Sequence, residues 1–280
     1  MARYGMVIDI DKCNGCYSCF LACKDEYAGN DYPPFSLAQP NNGKSWMRMT
    51  EKERGVCPKV KVDYIALPCL QCNNAPCVKR ATNGEVYRRP DGIVLIDPVK
   101  AEGKREIATY CPHRVISWNE EKNIPQKCTF CVHLLENGAK EPRCVEACPS
   151  GALLFGDLDD PESEVSKLAK AAGTEELNPA YGLKSNVLYR NLPKRFIAGE
   201  VLLEGREDIC AQGIKVTLKG NAGERTCMTD FLGDFEFDGL DSNQSFTLLI
   251  EAEGYKSKEI QIKTRVDVVL GEIVMKPTSK

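Results

Sequence analysis

The sequence predicts an α+β chain in two parts: a cysteine-rich unit over residues 1–155 and a small antiparallel β-sandwich over residues 196–280. A linker helix and an extended surface segment join them across 156–195. Three observations lead there. Thirteen of the fifteen cysteines fall between Cys13 and Cys148. Short apolar runs in that region, such as Met6 to Ile10 and Ile93 to Ile96, are separated by Pro- and Gly-bearing loops. From about Phe196 onward, apolar residues recur at every second position.

Fifteen cysteines in 280 residues far exceed ordinary usage, so the first unit is expected to be organised around what its thiols bind. Disulfides are the weaker reading. The count is odd, the cysteines come in tight C-x2-C groups, and the N-terminus MARYGMVIDIDKC lacks the basic segment, apolar run and small-residue cleavage site of an export signal. On that basis the chain is expected to be cytoplasmic. No stretch approaches the ~18 consecutive apolar residues of a spanning helix, so direct membrane insertion is not expected. A net charge of −3 and a pI of about 5.7 argue against nucleic-acid binding, which needs a basic face.

In the linker, Asp160 reads as an N-cap and Pro161 as the first helical residue, with Val165 and Leu168 on one face and Gly173 ending the helix. Ala180 to Arg195 shows no clean period and is expected to lie across the surface of the first unit or of a partner. In the last part, Ile214/Val216/Leu218, Phe235/Phe237, Leu248/Ile250 and Ile260/Ile262 alternate. Turns at Gly220-Asn221, Gly223, Leu232-Gly233-Asp234 and Glu253-Gly254 divide the segment into about seven strands, an immunoglobulin-like or transthyretin-like sandwich. It contains no catalytic constellation and is expected to dock or stabilise.

The cysteine spacing carries the chemistry. Cys13-x2-Cys16-x2-Cys19-x3-Cys23 puts three thiolates within seven residues, which lets one loop wrap a 4Fe-4S cubane. In the bacterial ferredoxin pattern the fourth cysteine of such a run ligates the other cluster of a pair. The partner run is Cys128-x2-Cys131-x12-Cys144-x3-Cys148 followed by Pro149; alone it would also suit a zinc tetrahedron. Crossing the fourth ligands assigns Cys13, Cys16, Cys19 and Cys148 to one cluster, and Cys128, Cys131, Cys144 and Cys23 to a second. Cys69-x2-Cys72-x4-Cys77 has three ligands, and Cys111 can complete a third cluster. The intervening 33 residues include an expected hairpin, Val86 to Ile96, turning at Arg89-Pro90-Asp91-Gly92.

Cys57, Cys210 and Cys227 stand alone and are expected to be small buried hydrophobes. His113 and His133 are expected to line cluster pockets and to hydrogen-bond nearby backbone or sulfide, tuning potential without ligating iron. The sequence shows no G-x4-G-K-[ST], G-x-G-x2-G or G-x-S-x-G motif.

With the cysteines grouped this way, residues 1–155 resemble the iron-sulfur subunits of the dimethyl sulfoxide reductase family of molybdopterin enzymes. The segments are PCLQCNNAPCV at Pro68 to Val78, YRRPDGIVLIDP at Tyr87 to Pro98, CPHRVISWN at Cys111 to Asn119 and KCTFCVHLL at Lys127 to Leu135. That family carries a fourth cluster, whose ligand positions here hold Ala81, Ala101, Lys104 and Ile107. The resemblance therefore implies a bacterial-ferredoxin-like domain with three 4Fe-4S clusters and one complete ligand set removed. It also implies a non-catalytic role beside a large catalytic subunit holding molybdenum and molybdopterin guanine dinucleotide. The segment Trp46 to Gly55, similar to WMRM-x3-ERG, and the sandwich tail point to members acting on polyhydroxylated aromatic rings. Such members transfer a hydroxyl between rings or remove one reductively from a catechol. Two rivals are a stand-alone polyferredoxin, which hardly needs the tail or the long insert Asp25 to Pro68, and a zinc-stabilised interaction protein, which would be colourless.

Overall fold

A computed structural model describes residues 2–43, 45–206 and 208–278. The chain divides into two compact units, one formed by Met1–Glu51 with Tyr64–Leu192 and the other by Lys52–Asp63 with Pro193–Lys280.

In the first unit, β1 (Tyr4–Asp9) leads through the first cysteine loop into α1 (Ser18–Tyr27). The long hairpin β2 (Arg48–Val56) and β3 (Lys59–Leu67) follows, then the short helix α2 (Pro76–Arg80) and the hairpin β4 (Val86–Arg88) and β5 (Val94–Ile96). A third hairpin, β6 (Ser117–Asn119) and β7 (Ile124–Gln126), precedes α3 (Val132–Glu136), α4 (Arg143–Glu146) and β8 (Leu153–Asp157). The unit ends with α5 (Glu164–Ala169), β9 (Thr174–Glu175) and β10 (Val187–Arg190).

Its main sheet has the order β8-β1-β10-β9, with β1 antiparallel to β8 and parallel to β10. Met6 and Ile8 project from β1, Val187 and Tyr189 from β10, into a core that also contains Cys19, Cys23, Cys69, Cys128, Cys131 and Cys144. The thiols thus belong to the core itself. The expected hairpin forms in register Val86↔Ile96, closed by the Gly92 N–H on the Arg89 carbonyl at 3.0 Å, with the Ile93 N–H on the Asp91 carboxylate at 3.1 Å.

Two linker expectations are corrected. The helix begins at Glu164 rather than Pro161, because the Asp160 carboxylate accepts the Glu162 N–H at 2.9 Å and its carbonyl the Ser163 N–H at 3.2 Å, which closes a turn first. The segment expected at the surface contributes β10, whose Val187 and Tyr189 are fully buried; the Tyr189 hydroxyl donates to the Ala66 carbonyl at 3.0 Å.

Among its described residues, the C-terminal segment of the second unit holds seven strands: β11 (Arg195–Leu203), β12 (Lys215–Gly220), β13 (Gly223–Met228), β14 (Asp234–Leu240), β15 (Ser245–Glu251), β16 (Lys258–Lys263) and β17 (Val268–Met275). They form a three-stranded sheet, β14-β11-β17, and a four-stranded one, β13-β12-β15-β16. The strand pairs are antiparallel except β11 with β17, which run parallel. Alternate residues from both sheets, among them Val201, Val216, Phe237, Leu248, Ile250 and Ile273, share one core.

The tip of the β2–β3 hairpin belongs to this unit, although the sequence placed it with the metal region. Arg54 holds it there. Its guanidinium, 6% exposed, pairs with Asp63 and with Asp267 at 2.9 Å, and donates to the Lys194 carbonyl at 2.7 Å. Gly55 follows with φ +82, where a Cβ would meet the Lys59 carbonyl at 2.2 Å and the Phe196 ring at 2.7 Å. Cys57 sits in the exposed turn of the tip and Cys210 in an exposed loop, so neither is the buried hydrophobe expected; Cys227 on β13 is half-buried against the sandwich core.

Candidate metal centres

All fifteen cysteines are free thiols. Twelve of them gather into three groups within the first unit.

The first run starts at the end of β1 and turns on two left-handed residues, Gly15 (φ +70) and Tyr17 (φ 62), before entering α1. A side chain on Gly15 would strike the Tyr64 ring, 2.5 Å away. Cys19, Cys23 and Tyr27 then recur every four residues along the buried face of α1. Burial raises the Cys19 thiol to about 12, and the charges of Cys13, Cys148 and Cys16 push in the same direction. These four sulfurs are close neighbours. Cys148 behaves differently: burial opposes ionisation, but hydrogen bonds from the Ser150 hydroxyl and from the Leu153, Ala152 and Ser150 N–H groups hold its thiol below the ordinary value.

Cys23, one turn beyond Cys19, faces a separate hollow lined also by Cys128, Cys131 and Cys144 and walled by Tyr27, Trp46, Met47, Phe130 and Pro142. Phe130 (φ 55) and Cys131 (φ 49) are left-handed, a cost of about 1–3 kcal/mol each that persists only where the surroundings enforce it. The bend brings the Phe130 N–H to Cys128 Sγ at 3.4 Å. Cys144 comes from α4, and Cys148 stands four residues on, just past the end of that helix, so this run too divides its cysteines between the two sites. Burial pushes the Cys144 thiol well up, followed by the charges of Cys131, Cys128, Cys23 and Cys19.

The third hollow is lined by Cys69, Cys72, Cys77 and Cys111 together with Pro112, His113, Lys127 and apolar side chains. Gln71 (φ 49) turns the Cys69 loop, and Arg88 donates to the Cys72 carbonyl. Burial first, then neighbouring thiolate charge, raises Cys72 to about 12; burial likewise raises Cys77 to about 11.

A buried hollow ringed by four thiols is unfavourable for thiolates unless cationic metal shares the space. Among the described residues no three His, Cys, Asp or Glu side chains converge as they would on a single ion; the thiols surround a space instead. That donor set fits a thiolate-bound iron-sulfur cluster, which when bound supplies one-electron transfer. Cys13, Cys16, Cys19 and Cys148, Cys23, Cys128, Cys131 and Cys144, and Cys69, Cys72, Cys77 and Cys111 are the three sets that would hold it.

The comparisons with known proteins agree. Residues 60–158 match the 4Fe-4S dicluster domain. The chain is 40% identical to the pyrogallol hydroxytransferase small subunit of Pelobacter acidigallici, over 98% of this chain and 99% of that one. It is 32% identical to a sulfite dehydrogenase subunit from Allochromatium vinosum over 86% of this chain and 99% of the relative. It is also 32% identical to the arsenate respiratory reductase iron-sulfur subunit ArrB of a Shewanella strain, over 67% and 95%. The chain belongs to the iron-sulfur subunits of the dimethyl sulfoxide reductase family of molybdoenzymes. Electron transfer is therefore its function.

In this family member His113 stands where expected and His133 does not. His113 lines the third hollow, with its ring 5.1 Å from Tyr181. His133 stands behind the second hollow, where it bonds Glu26 at 2.9 Å and the Tyr27 hydroxyl at 3.4 Å and stacks on Tyr32 at 3.7 Å. Its partners are side chains, not backbone or sulfide. Burial alone would raise the Glu26 carboxyl, but hydrogen bonds from His133 and Tyr32 and the charges of His133 and Arg143 hold it below the usual range. Sequence reasoning missed Tyr27, which the four-residue spacing from Cys19 and Cys23 could have marked, and Gln71 and Lys127, which no local spacing marks.

The positions where the family pattern has its fourth ligand set are also close together. Ala101 and Ile107 are fully buried in one apolar cluster with Val86, Val94, Ile96 and Ile116, and Ala81 packs against it. Lys104 pairs with the buried Glu85, whose carboxyl that lysine, with backbone N–H groups and Asn83, draws down to about 2.

Proposed function

We propose that this chain carries three 4Fe-4S clusters on the crossed ligand sets named above. We further propose that it serves a large catalytic subunit, holding molybdenum and molybdopterin guanine dinucleotide, in a pyrogallol–phloroglucinol transhydroxylase. The observation that carries the reading is the reach of the resemblance to the Pelobacter small subunit, 98% of this chain including the sandwich tail. The filled region around Ala81, Ala101, Lys104 and Ile107 supports a count of three. Hydroxyl transfer between two aromatic rings involves no net oxidation or reduction, so steady turnover needs no external electron donor. Reductive removal of a catechol hydroxyl consumes two electrons per turnover and does need one.

The deciding assay gives the purified complex pyrogallol and a polyhydroxybenzene co-substrate with no donor or acceptor. Transhydroxylated product is expected. Product that appears only with reduced viologen replaces this reading with a reductive catechol dehydroxylase, in which the chain would be the electron-input subunit.

A further inference from the structure

Lys127 is 2% exposed, yet its ammonium meets only carbonyl oxygens: that of Val94 and that of Cys128, the latter at 3.1 Å. No carboxylate pairs with it among the described residues. An ammonium with three donors, buried without a counter-charge, would be strongly disfavoured. The fold nevertheless holds it in place. Lys127 follows β7 immediately and lines the hollow of Cys69, Cys72, Cys77 and Cys111. Gln71, fully buried, ties the same wall together by donating to the Cys128 carbonyl at 3.2 Å and accepting the Val94 N–H at 2.8 Å. Cys128 lines the neighbouring hollow, so this wall stands between the two.

We propose that Lys127 is the internal counter-ion of the cluster held by Cys69, Cys72, Cys77 and Cys111, and that its charge raises that cluster's reduction potential. The proposal rests on the ligand assignment above. A cluster with four thiolate ligands is negative when oxidised and more negative by one charge after accepting an electron. A fixed cation beside it therefore stabilises the reduced form more than the oxidised form. The low local dielectric makes that difference larger than at a surface. Lys127 acts through this field and is a positioning residue that touches no substrate.

The test compares wild-type holo-complex with Lys127→Gln, which keeps a hydrogen-bond donor without charge, Lys127→Met, and Lys127→Arg. Iron and sulfide are counted first, and each cluster is then titrated by EPR at controlled potential. The cluster in question is identified as the one whose signal Cys111→Ser alters. With iron at the wild-type level, its oxidised-to-reduced ratio at a fixed potential is expected to rise at least tenfold in the Gln and Met variants. For a one-electron couple that is a shift of ~59 mV to lower potential. The Arg variant is expected to stay near wild type. Unchanged potentials at full iron content overturn the proposal, as does a shift in Arg as large as in Gln. Loss of iron in both neutral variants also overturns it, because Lys127 is then a structural brace. A wild-type preparation without the three clusters fails the ligand assignment instead, so the two failures are distinguishable.

Discussion

Cys19 and Cys23 stand one helical turn apart on the same buried face of α1, yet their sulfurs serve different groups: Cys19 sits with Cys13, Cys16 and Cys148, and Cys23 with Cys128, Cys131 and Cys144. Cys144 on α4 and Cys148 just beyond it repeat the division, and the helices α1 and α4 pack together. On the proposed ligand sets, each run would depend on a thiol from the other. Cys23→Ser is expected to damage the centre of Cys128, Cys131 and Cys144, and Cys148→Ser the centre of Cys13, Cys16 and Cys19. Mössbauer and EPR spectra of the two variants should show different clusters altered. If Cys23→Ser instead alters the centre of its own run, the crossing is wrong.

The region that replaces a fourth centre should behave as ordinary core. Ile107→Ala removes a side chain 1% exposed and is expected to cost about 2–5 kcal/mol. Lys104→Met leaves the Glu85 carboxylate buried beside Asn83 without its cation and should lower the thermal midpoint at neutral pH. Neither change should alter the iron count of about twelve that three cubanes require. A wild-type count near sixteen would show that a fourth centre is present and that this packing account is mistaken.

Arg54 tests the second unit. Asp267 is 4% exposed and bonds Arg54, Arg195 at 3.2 Å and the Phe196 N–H at 3.1 Å. Arg54→Ala strips the shared cation from Asp63 and Asp267, which is expected to destabilise the unit by about 3–5 kcal/mol in denaturant melts. A loss below ~1 kcal/mol would mean that water repairs the gap and that Arg54 does not anchor the hairpin tip.

What could be read from the sequence was what is local in it. Ligand runs must be short to wrap a cluster, so Cys13 to Cys23 and Cys128 to Cys148 declare themselves, as does the alternation of Val216 and Leu218 or Phe235 and Phe237. β10 stayed hidden because, at four residues, the alternation of buried Val187 and Tyr189 with Leu188 and Arg190 is too short to mark a period. The Arg54–Asp267 pair spans 213 positions and Tyr27–His133 spans 106, so neither leaves a pattern a window can detect. Lys127 was visible only as the residue before a cysteine; its burial and its lack of a carboxylate partner are properties of the fold.

Removing iron should separate the two units. In the first, Met6, Leu70, Phe130, Val187 and Tyr189 pack in the same core as Cys19, Cys23, Cys69, Cys128, Cys131 and Cys144, so the proposed centres would be part of what that core is built on. Burial holds thiols such as Cys19, Cys72 and Cys131 up at about 12, so the metal-free hollows favour neutral sulfur while iron requires thiolate. Binding therefore releases protons, and iron should be lost faster as the pH falls. The second unit has its own core, drawn from both sheets and free of any ligating cysteine. Anaerobic chelation followed by limited proteolysis is expected to cut throughout residues 1–51 and 64–192 and to leave a resistant fragment beginning near Pro193. If the chelated first unit kept its compactness and protease resistance, its fold would not depend on its centres, and the coupling of cluster binding to folding would have to be abandoned.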